Sequence, residues 1–212
     1  MSITVDIDSE NSFLARAKYP KGRQTLKAIL DATYEIVTTR GLAAASQEAI
    51  AQQANVTQSA VRHYFCTKEE LLLAFFTVGV ERLRTIIEDK LKNPSRPAKE
   101  TLLDIIDTHY EWISQTKDVY YFESASFWGR NPGFRALREE WYGELLGHYR
   151  SLLGQIHPNW TRKQRDEASY QLITLVLGGW NTMGGTRPFY QSRSTESLKR
   201  ALLAGAAKII SA

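Results

Sequence analysis

Residues 46–68 read Ser-Gln-Glu-Ala-Ile-Ala-Gln-Gln-Ala-Asn-Val-Thr-Gln-Ser-Ala-Val-Arg-His-Tyr-Phe-Cys-Thr-Lys, and no other stretch of the chain says as much about its architecture. Ile50, Ala51 and Ala54 give a first short helix an apolar face at helical spacing. Asn55 falls where the chain must turn sharply, and after glycine asparagine is among the residues that best tolerate a left-handed backbone. Val56 then turns inward, and Thr57 is a good N-cap for a second helix running to about Tyr64. That helix opens with Gln58 and Ser59 and continues with Arg62, His63 and Tyr64. A polar first turn followed by a cation suits the DNA major groove. The same spacing also fits an ordinary pair of helices in an all-α core, because the helix–turn–helix unit is common.

The charge distribution points the same way as the motif. The 212-residue chain carries a net charge of +4. Residues 11–68 hold eight cations (Arg16, Lys18, Lys21, Arg23, Lys27, Arg40, Arg62, Lys68) against three acids (Asp31, Glu35, Glu48), which is +5 and leaves −1 for the rest. A basic N-terminal third on a near-neutral body suits a nucleic-acid-binding head on a body with another task. The single cysteine, Cys66, rules out an intrachain disulfide and fits a reducing cytoplasm; it is expected to be a small packing residue. The first twelve residues are polar and mildly acidic, unlike a signal peptide, and the most apolar stretch, Leu71 to Val80, is too short to span a membrane.

Outward from the motif the chain reads as all-α, with about nine helices. Residues 1–20 form a flexible arm ending at Pro20. A first helix, about Lys21 to Thr39, lines one face with Ala28, Ile29, Ala32, Ile36 and Val37 and stops at Gly41. The three-helix head covers residues 21–66 and a linking helix residues 67–92, opened by a capping box of Thr67 and Glu70. The larger helical body spans 93–212. Its helices are expected near Lys99–Gln115, Val119–Trp128, Phe134–Ile156, Thr161–Asn181 and Thr195–Ile210. Gly129, Asn131, Pro132 and Gly133 are expected to break the chain after the second of these, and Gly184 to Ser194 to form a loop before the last. The body is dense in aromatics, most of which aromatic spacing alone assigns to the core.

The run Ile50-Ala51, Ala54-Asn55-Val56-Thr57, Val61-Arg62-His63-Tyr64-Phe65, Thr67-Lys68-Glu69-Glu70-Leu71-Leu72 resembles the N-terminal DNA-binding domain of TetR-family transcriptional repressors, over about residues 22–76. Asn55 stands in place of the family's usual turn glycine, Arg62 in place of its usual tyrosine, and Ala45 where a capping threonine is common, so that Ser46 takes the capping role. The resemblance implies a homodimer on a palindromic double-stranded DNA operator, released by a small organic effector. Gln58 and Ser59 would then reach base edges, and Thr57 would both cap its helix and touch DNA. Ser46 and Gln47 would lie at the same surface, while Lys68, Arg62, His63, Tyr64, Lys21 and Arg23 would hold phosphates. Helix order in the family implies an effector pocket lined by Trp112, Phe122, Phe127, Trp128, Phe134, Trp141 and Trp180, an aromatic wall suited to a flat or cationic ligand. It also implies a dimer interface of the last two helices through Leu172, Leu175, Val176, Gly179, Leu198, Ala201, Leu202, Gly205 and Ile209.

An enzyme is the rival class. The chain has no Gly-rich phosphate loop, no nucleophile elbow and no Cys/His metal spacing, so neither cofactor nor metal is expected. Its four histidines, His63, His109, His148 and His157, are scattered. An all-α enzyme built from distant residues, or an interaction module whose helix–turn–helix does not read DNA, remains the alternative at this point.

Overall fold

The computed structural model describes residues 17–93, 95–115, 118–182 and 194–212, and every statement below is made of these. They form nine α-helices: α1 (Pro20–Arg40), α2 (Gln47–Gln53), α3 (Gln58–Tyr64), α4 (Lys68–Leu91), α5 (Ala98–Gln115), α6 (Asp118–Arg130), α7 (Pro132–Ile156), α8 (Arg162–Thr182) and α9 (Thr195–Ser211), with one 3₁₀ turn, Leu42–Ala44, after α1. None of the helices is long and apolar enough to cross a membrane. The expected arm lies largely outside the described residues, as does most of the expected loop from Gly184.

The helix ends follow the signals in the sequence with small shifts that have local causes. Pro20 belongs to α1 rather than to the arm, because its fixed φ and missing N–H suit the first helical position. Gly41, at φ 83°, closes α1 by returning its N–H to the Val37 carbonyl. The expected break after Trp128 is shorter than the sequence suggested. Helix α6 runs through Gly129, and Asn131 Oδ1 accepts from the Phe134 amide at 2.9 Å, so Asn131 caps α7 with Pro132 as its first residue. The expected capping box at Thr67/Glu70 forms, with Thr67 Oγ1 accepting from the Glu70 amide at 3.1 Å, and a second one opens α8, where Gln164 Oε1 accepts from the Thr161 amide at 2.8 Å.

The described chain divides into two compact units. One holds the residues up to Arg82 together with 118–138; the other holds Leu83 to the end of α5 and Glu139–Ala212. In the first unit α1 packs against α2 and α6. Its core gathers Leu26, Ile29, Ile36, Val37, Ile50, Val61, Leu71 and Phe76, each at most 1% exposed. In the second, α5, α8 and α9 pack on one another. The buried face of α5 is Leu102, Ile105, Ile106 and His109; that of α7 is Trp141, Leu145, Tyr149 and Leu152; that of α8 is Leu172 and Val176; and that of α9 is Leu202, Ala206 and Ile210. Each set recurs every three or four residues, so one stripe of each helix is removed from water, and burial of such a side chain contributes about 1.5–3 kcal/mol. Ion pairs stitch this unit at its surface: Asp104 accepts from Lys90 at 2.8 Å and from Arg96 at 2.5 Å, and Arg84 donates to Glu144 at 2.7 Å. Partial burial works to raise the Asp104 carboxyl, but those two hydrogen bonds hold it below the ordinary carboxylate range.

Candidate nucleic-acid interface

Helices α2 and α3 are seven residues each, well short of the roughly 12–15 residues at which an isolated helix becomes even marginal in water. Their ends are therefore closed by side chains and by the turn between them. Ser46 Oγ accepts from the Ala49 amide at 3.1 Å and Thr57 Oγ1 from the Ala60 amide at 3.1 Å, so both residues cap as their positions predicted. Between the helices the Val56 amide donates to the Ala51 carbonyl at 3.0 Å and the Asn55 amide to the Gln52 carbonyl at 3.2 Å. This 6→1 and 5→2 pair is a Schellman motif with Asn55 at its left-handed position. Asn55, at φ 53°, is the single non-glycine residue with positive φ among those described, as expected of the turn.

Inward, Ile50, Ala51, Val61 and Phe65 anchor the pair, each less than 5% exposed. With Val61 and Phe65 fixed inside, the helical period turns Gln58, Ser59, Arg62 and His63 to solvent, and all four are exposed. The first turn of α3 shows the polar side chains of Gln58 and Ser59 and the next turn, on the same face, the cation of Arg62 and the imidazole of His63, a surface that can hydrogen-bond base edges and neutralise phosphates. Thr57 is exposed as well, and its hydroxyl lies 2.9 Å from that of Ser59.

The remaining residues expected at DNA are engaged within the protein. Gln47 Nε2 donates to the Phe65 carbonyl at 2.8 Å. Lys68 Nζ donates to the carbonyls of Leu42 at 2.6 Å and Ala43 at 3.2 Å. Arg23 Nε donates to the Ala17 carbonyl at 3.1 Å. Tyr64 donates its hydroxyl to the Gly22 carbonyl at 3.2 Å, an approach that a side chain at Gly22 would crowd, since a Cβ there would lie 3.0 Å from that hydroxyl. This bond ties the end of α3 to the start of α1, where Lys21 is exposed. Lys18, counted above for its charge alone, and Tyr19, which was not singled out, are exposed just before it, Tyr19 at 76%. The signal was present: an aromatic between lysines ahead of a helix-opening proline. Cys66 is a correction. It is exposed rather than packed, because the turn into α4 is held through its backbone, whose amide donates to Glu70 Oε2 at 2.8 Å.

The aromatics expected to line an effector pocket fall into different surroundings. Phe134, 5% exposed, stacks on Phe76 with ring centroids 4.2 Å apart; Phe127 stacks on Phe76 at 5.5 Å; and Trp128 is tilted against Phe134 at 5.9 Å. All three therefore join the core of the first unit. The Arg138 guanidinium sits 5.0 Å over the Trp128 ring, so that face already carries a cation. Trp112 is half-buried and Trp141 buried in the second unit. The side chains of Phe122 and Trp180 lie outside the described residues. Two carboxylates on the body helices are spoken for: Glu111 pairs with Lys199 at 2.6 Å and Glu144 with Arg84 at 2.7 Å. Of the residues expected at a dimer interface, Leu172, Val176 and Leu202 are buried within their own chain, and Leu175 packs toward Gly205, where a Cβ would lie 3.4 Å from Leu175 Cδ2. Gly179 is buried, Leu198 and Ile209 are half-buried, and Ala201 is exposed. The outward stripes are Tyr170, Thr174 and Gly178 on α8 and Ala201, Ala204 and Lys208 on α9.

Helices α2 and α3 with the turn between them are a helix–turn–helix unit. Residues 29–75 match the family model described as bacterial regulatory proteins, tetR family. The chain is 27% identical over 165 residues to the HTH-type transcriptional regulator BetI of Escherichia coli, an alignment covering 75% of this chain and 83% of that one. It is 30% identical over 99 residues to the HTH-type transcriptional regulator PksA of Bacillus subtilis, covering 45% and 48%. Among solved structures it is similar to a TetR transcription regulator from Haloarcula marismortui, with a TM-score of 0.72 at 20% identity over 88% of this chain and 96% of that one. A TetR-family transcriptional regulator from Streptomyces coelicolor also gives 0.72, at 17% identity and 92% coverage of both. Residues 29–75 thus carry the match to the tetR-family DNA-binding domain, and the relatives that the chain resembles are transcriptional regulators.

Proposed function

We propose that this protein represses transcription as a cytoplasmic homodimer on a short palindromic operator and leaves it when a small organic effector binds. The observation that carries this reading is the outward face of α3, where Gln58, Ser59, Arg62 and His63 stand exposed on a helix that is capped by Thr57 at its start and anchored inward by the buried Val61 and Phe65. Gln58 and Ser59 contact base edges; Arg62, His63 and Lys21 contact phosphates. Two copies are needed because one seven-residue helix reads only a few base pairs, and a two-fold dimer presents two such helices to successive major grooves roughly 34–36 Å apart. The exposed stripes of α8 and α9, with Tyr170 68% exposed among small residues, are the surface that a second copy covers.

Effector release requires that ligand and operator favour different conformations of the same dimer. The coupling is then reciprocal: an effector that weakens operator binding by some factor is itself bound more weakly, by that factor, in the DNA complex. Helix α4 suits the connection, since it is one continuous helix from Lys68 to Leu91. All five tryptophans (Trp112, Trp128, Trp141, Trp160 and Trp180) lie beyond residue 100, so effector binding reports in tryptophan fluorescence. The test is footprinting on the DNA that flanks the protein's own coding region, at low and at physiological salt. A protected palindrome whose affinity falls steeply with salt supports the reading. Absence of any protected site at low salt, or a chain that stays monomeric at micromolar concentration, overturns it.

A further inference from the structure

Two of the side chains that the motif assigns to DNA make hydrogen bonds that lie on either side of the helix–turn–helix. The α2–α3 hairpin is entered through the 3₁₀ turn Leu42–Ala44 and left through Phe65–Thr67. Lys68, the first residue of α4, reaches back across the exit to the entry and donates to the Leu42 and Ala43 carbonyls at 2.6 and 3.2 Å. Gln47, the first residue of α2, reaches from the entry to the exit and donates to the Phe65 carbonyl at 2.8 Å. The two reaches run in opposite directions and span 26 and 18 residues of sequence. Each ends on backbone carbonyls at a boundary of the hairpin, and the lysine bonds are charge-assisted, which makes them the stronger pair.

We propose that Lys68 and Gln47 are positioning residues, a pair of cross-braces that fix the entry and the exit of the α2–α3 hairpin to the start of α4 and so set the pose of the reading helix α3. The proposal deepens the DNA-binding reading above and assigns these two residues a role that needs no contact with DNA. Helices of seven residues do not hold their own orientation. Their inner faces fix them against the core, but the hairpin rotates about that contact unless its ends are tied. The capping box of Thr67 and Glu70 orders the backbone from which Lys68 projects, with Glu70 Oε2 accepting from the amides of Cys66 at 2.8 Å and Thr67 at 3.4 Å. A displacement of the first turn of α4 is therefore delivered, through Lys68, to the residues immediately before α2.

The test compares Lys68→Met, Lys68→Arg, Gln47→Leu and the wild type in three measurements. The first is amide hydrogen exchange of the free protein across residues 45–66, which involves no DNA. Lys68→Met and Gln47→Leu are expected to speed exchange in α2 and α3 at least tenfold while the global melting temperature changes little, and Lys68→Arg, which keeps donors on a long side chain, to restore most of the protection. The second is affinity for a duplex that the wild type selects from a randomised pool; both disrupted variants are expected to lose at least tenfold. The third is the dependence of that affinity on salt. A brace leaves the slope unchanged, whereas a phosphate contact by Lys68 lowers it by about one. Exchange within twofold of wild type in both disrupted variants overturns the proposal, as does a slope lowered by one in Lys68→Met with exchange unaltered. Should Lys68→Met fail to fold, Gln47→Leu carries the test, since it removes one neutral bond at the other end. If the wild type selects no duplex, the DNA-binding reading fails while the exchange experiment still decides the braces.

Discussion

The segment from Ser46 to Lys68 and the four-helix interior of α5, α7, α8 and α9 are built on opposite terms. The first is two seven-residue helices whose order rests on named side-chain-to-backbone bonds: caps at Ser46 and Thr57, a left-handed Asn55, and ties from Gln47, Tyr64 and Lys68. The second is helices of 17 to 25 residues whose order rests on apolar stripes, and inside it the polar atoms Nδ1 of His109 and Oη of Tyr149 are buried with no partner. A hairpin held by directional bonds keeps one pose and shows its outer residues to a partner. An interior held by area takes its apolar stripes out of water and leaves recognition to the outward faces of its helices.

The largest expected effect lies in the core next to the hairpin. Phe76, 1% exposed, meets Phe134 at 4.2 Å and Phe127 at 5.5 Å. Phe76→Ala removes the centre of that stack, and a cost of about 3–5 kcal/mol in urea unfolding is expected. A loss under 1 kcal/mol would mean that the aromatic cluster collapses around the gap and does not organise its unit.

The second effect belongs to the body interior and has a sign in pH. Burial pushes the His109 imidazole down from 6.5 to about 4. Between those values the unfolded chain binds the proton and the folded chain does not. Stability is therefore full above pH 6.5 and falls as the pH drops toward 4, by up to about 3 kcal/mol. Urea melts at pH 7 and pH 4.5 measure the loss, and His109→Leu should remove most of the difference. Equal pH dependence in the variant would place the acid sensitivity elsewhere.

On the hairpin's outer face the expected magnitudes are smaller and are read in binding. Gln58→Ala should cost about 1–3 kcal/mol of operator affinity and relax preference at one base pair, since Gln58 is exposed and makes no bond that holds the fold. Arg62→Ala should weaken all duplexes alike and lower the salt slope by about one. Exchange of these two outcomes would reverse the assignment of bases to one end of α3 and phosphates to the other.

The same contrast explains what the sequence could say. Caps and turns are local, so Ser46, Thr57, Asn55, Gly41, Thr67 with Glu70, and Thr161 with Gln164 were legible from residue type and spacing of three or four. Asn131 and Pro132 were legible as punctuation but not in sense, because a proline that ends one helix also suits the first position of the next. The bonds of Lys68 to Leu42 and of Gln47 to Phe65 cross 26 and 18 residues and leave no periodic trace. Likewise the aromatic run after α5 gave no sign that Phe127 and Phe134 would share a core with Phe76, since spacing fixes a helix face and not what the face meets. The stripes of α8 and α9 were read correctly as apolar, but an apolar stripe does not declare whether its own chain or a second copy covers it.

The smallest expected effect tests the turn on which the hairpin depends. Asn55 sits at φ 53° with its amide bonded to the Gln52 carbonyl. Alanine enters that region only at a cost of about 1–2 kcal/mol, because its Cβ approaches the following carbonyl oxygen. Glycine enters without strain but frees the unfolded chain, a penalty of about 0.4–1 kcal/mol that offsets its gain. Asn55→Ala should therefore lower stability by about 1 kcal/mol and weaken operator binding with it, whereas Asn55→Gly should leave both within about 0.5 kcal/mol of wild type. The discriminating result is the order of the pair. If alanine is tolerated as well as glycine, the left-handed turn does not set the hairpin, and its pose rests on the caps and on the Gln47, Tyr64 and Lys68 ties.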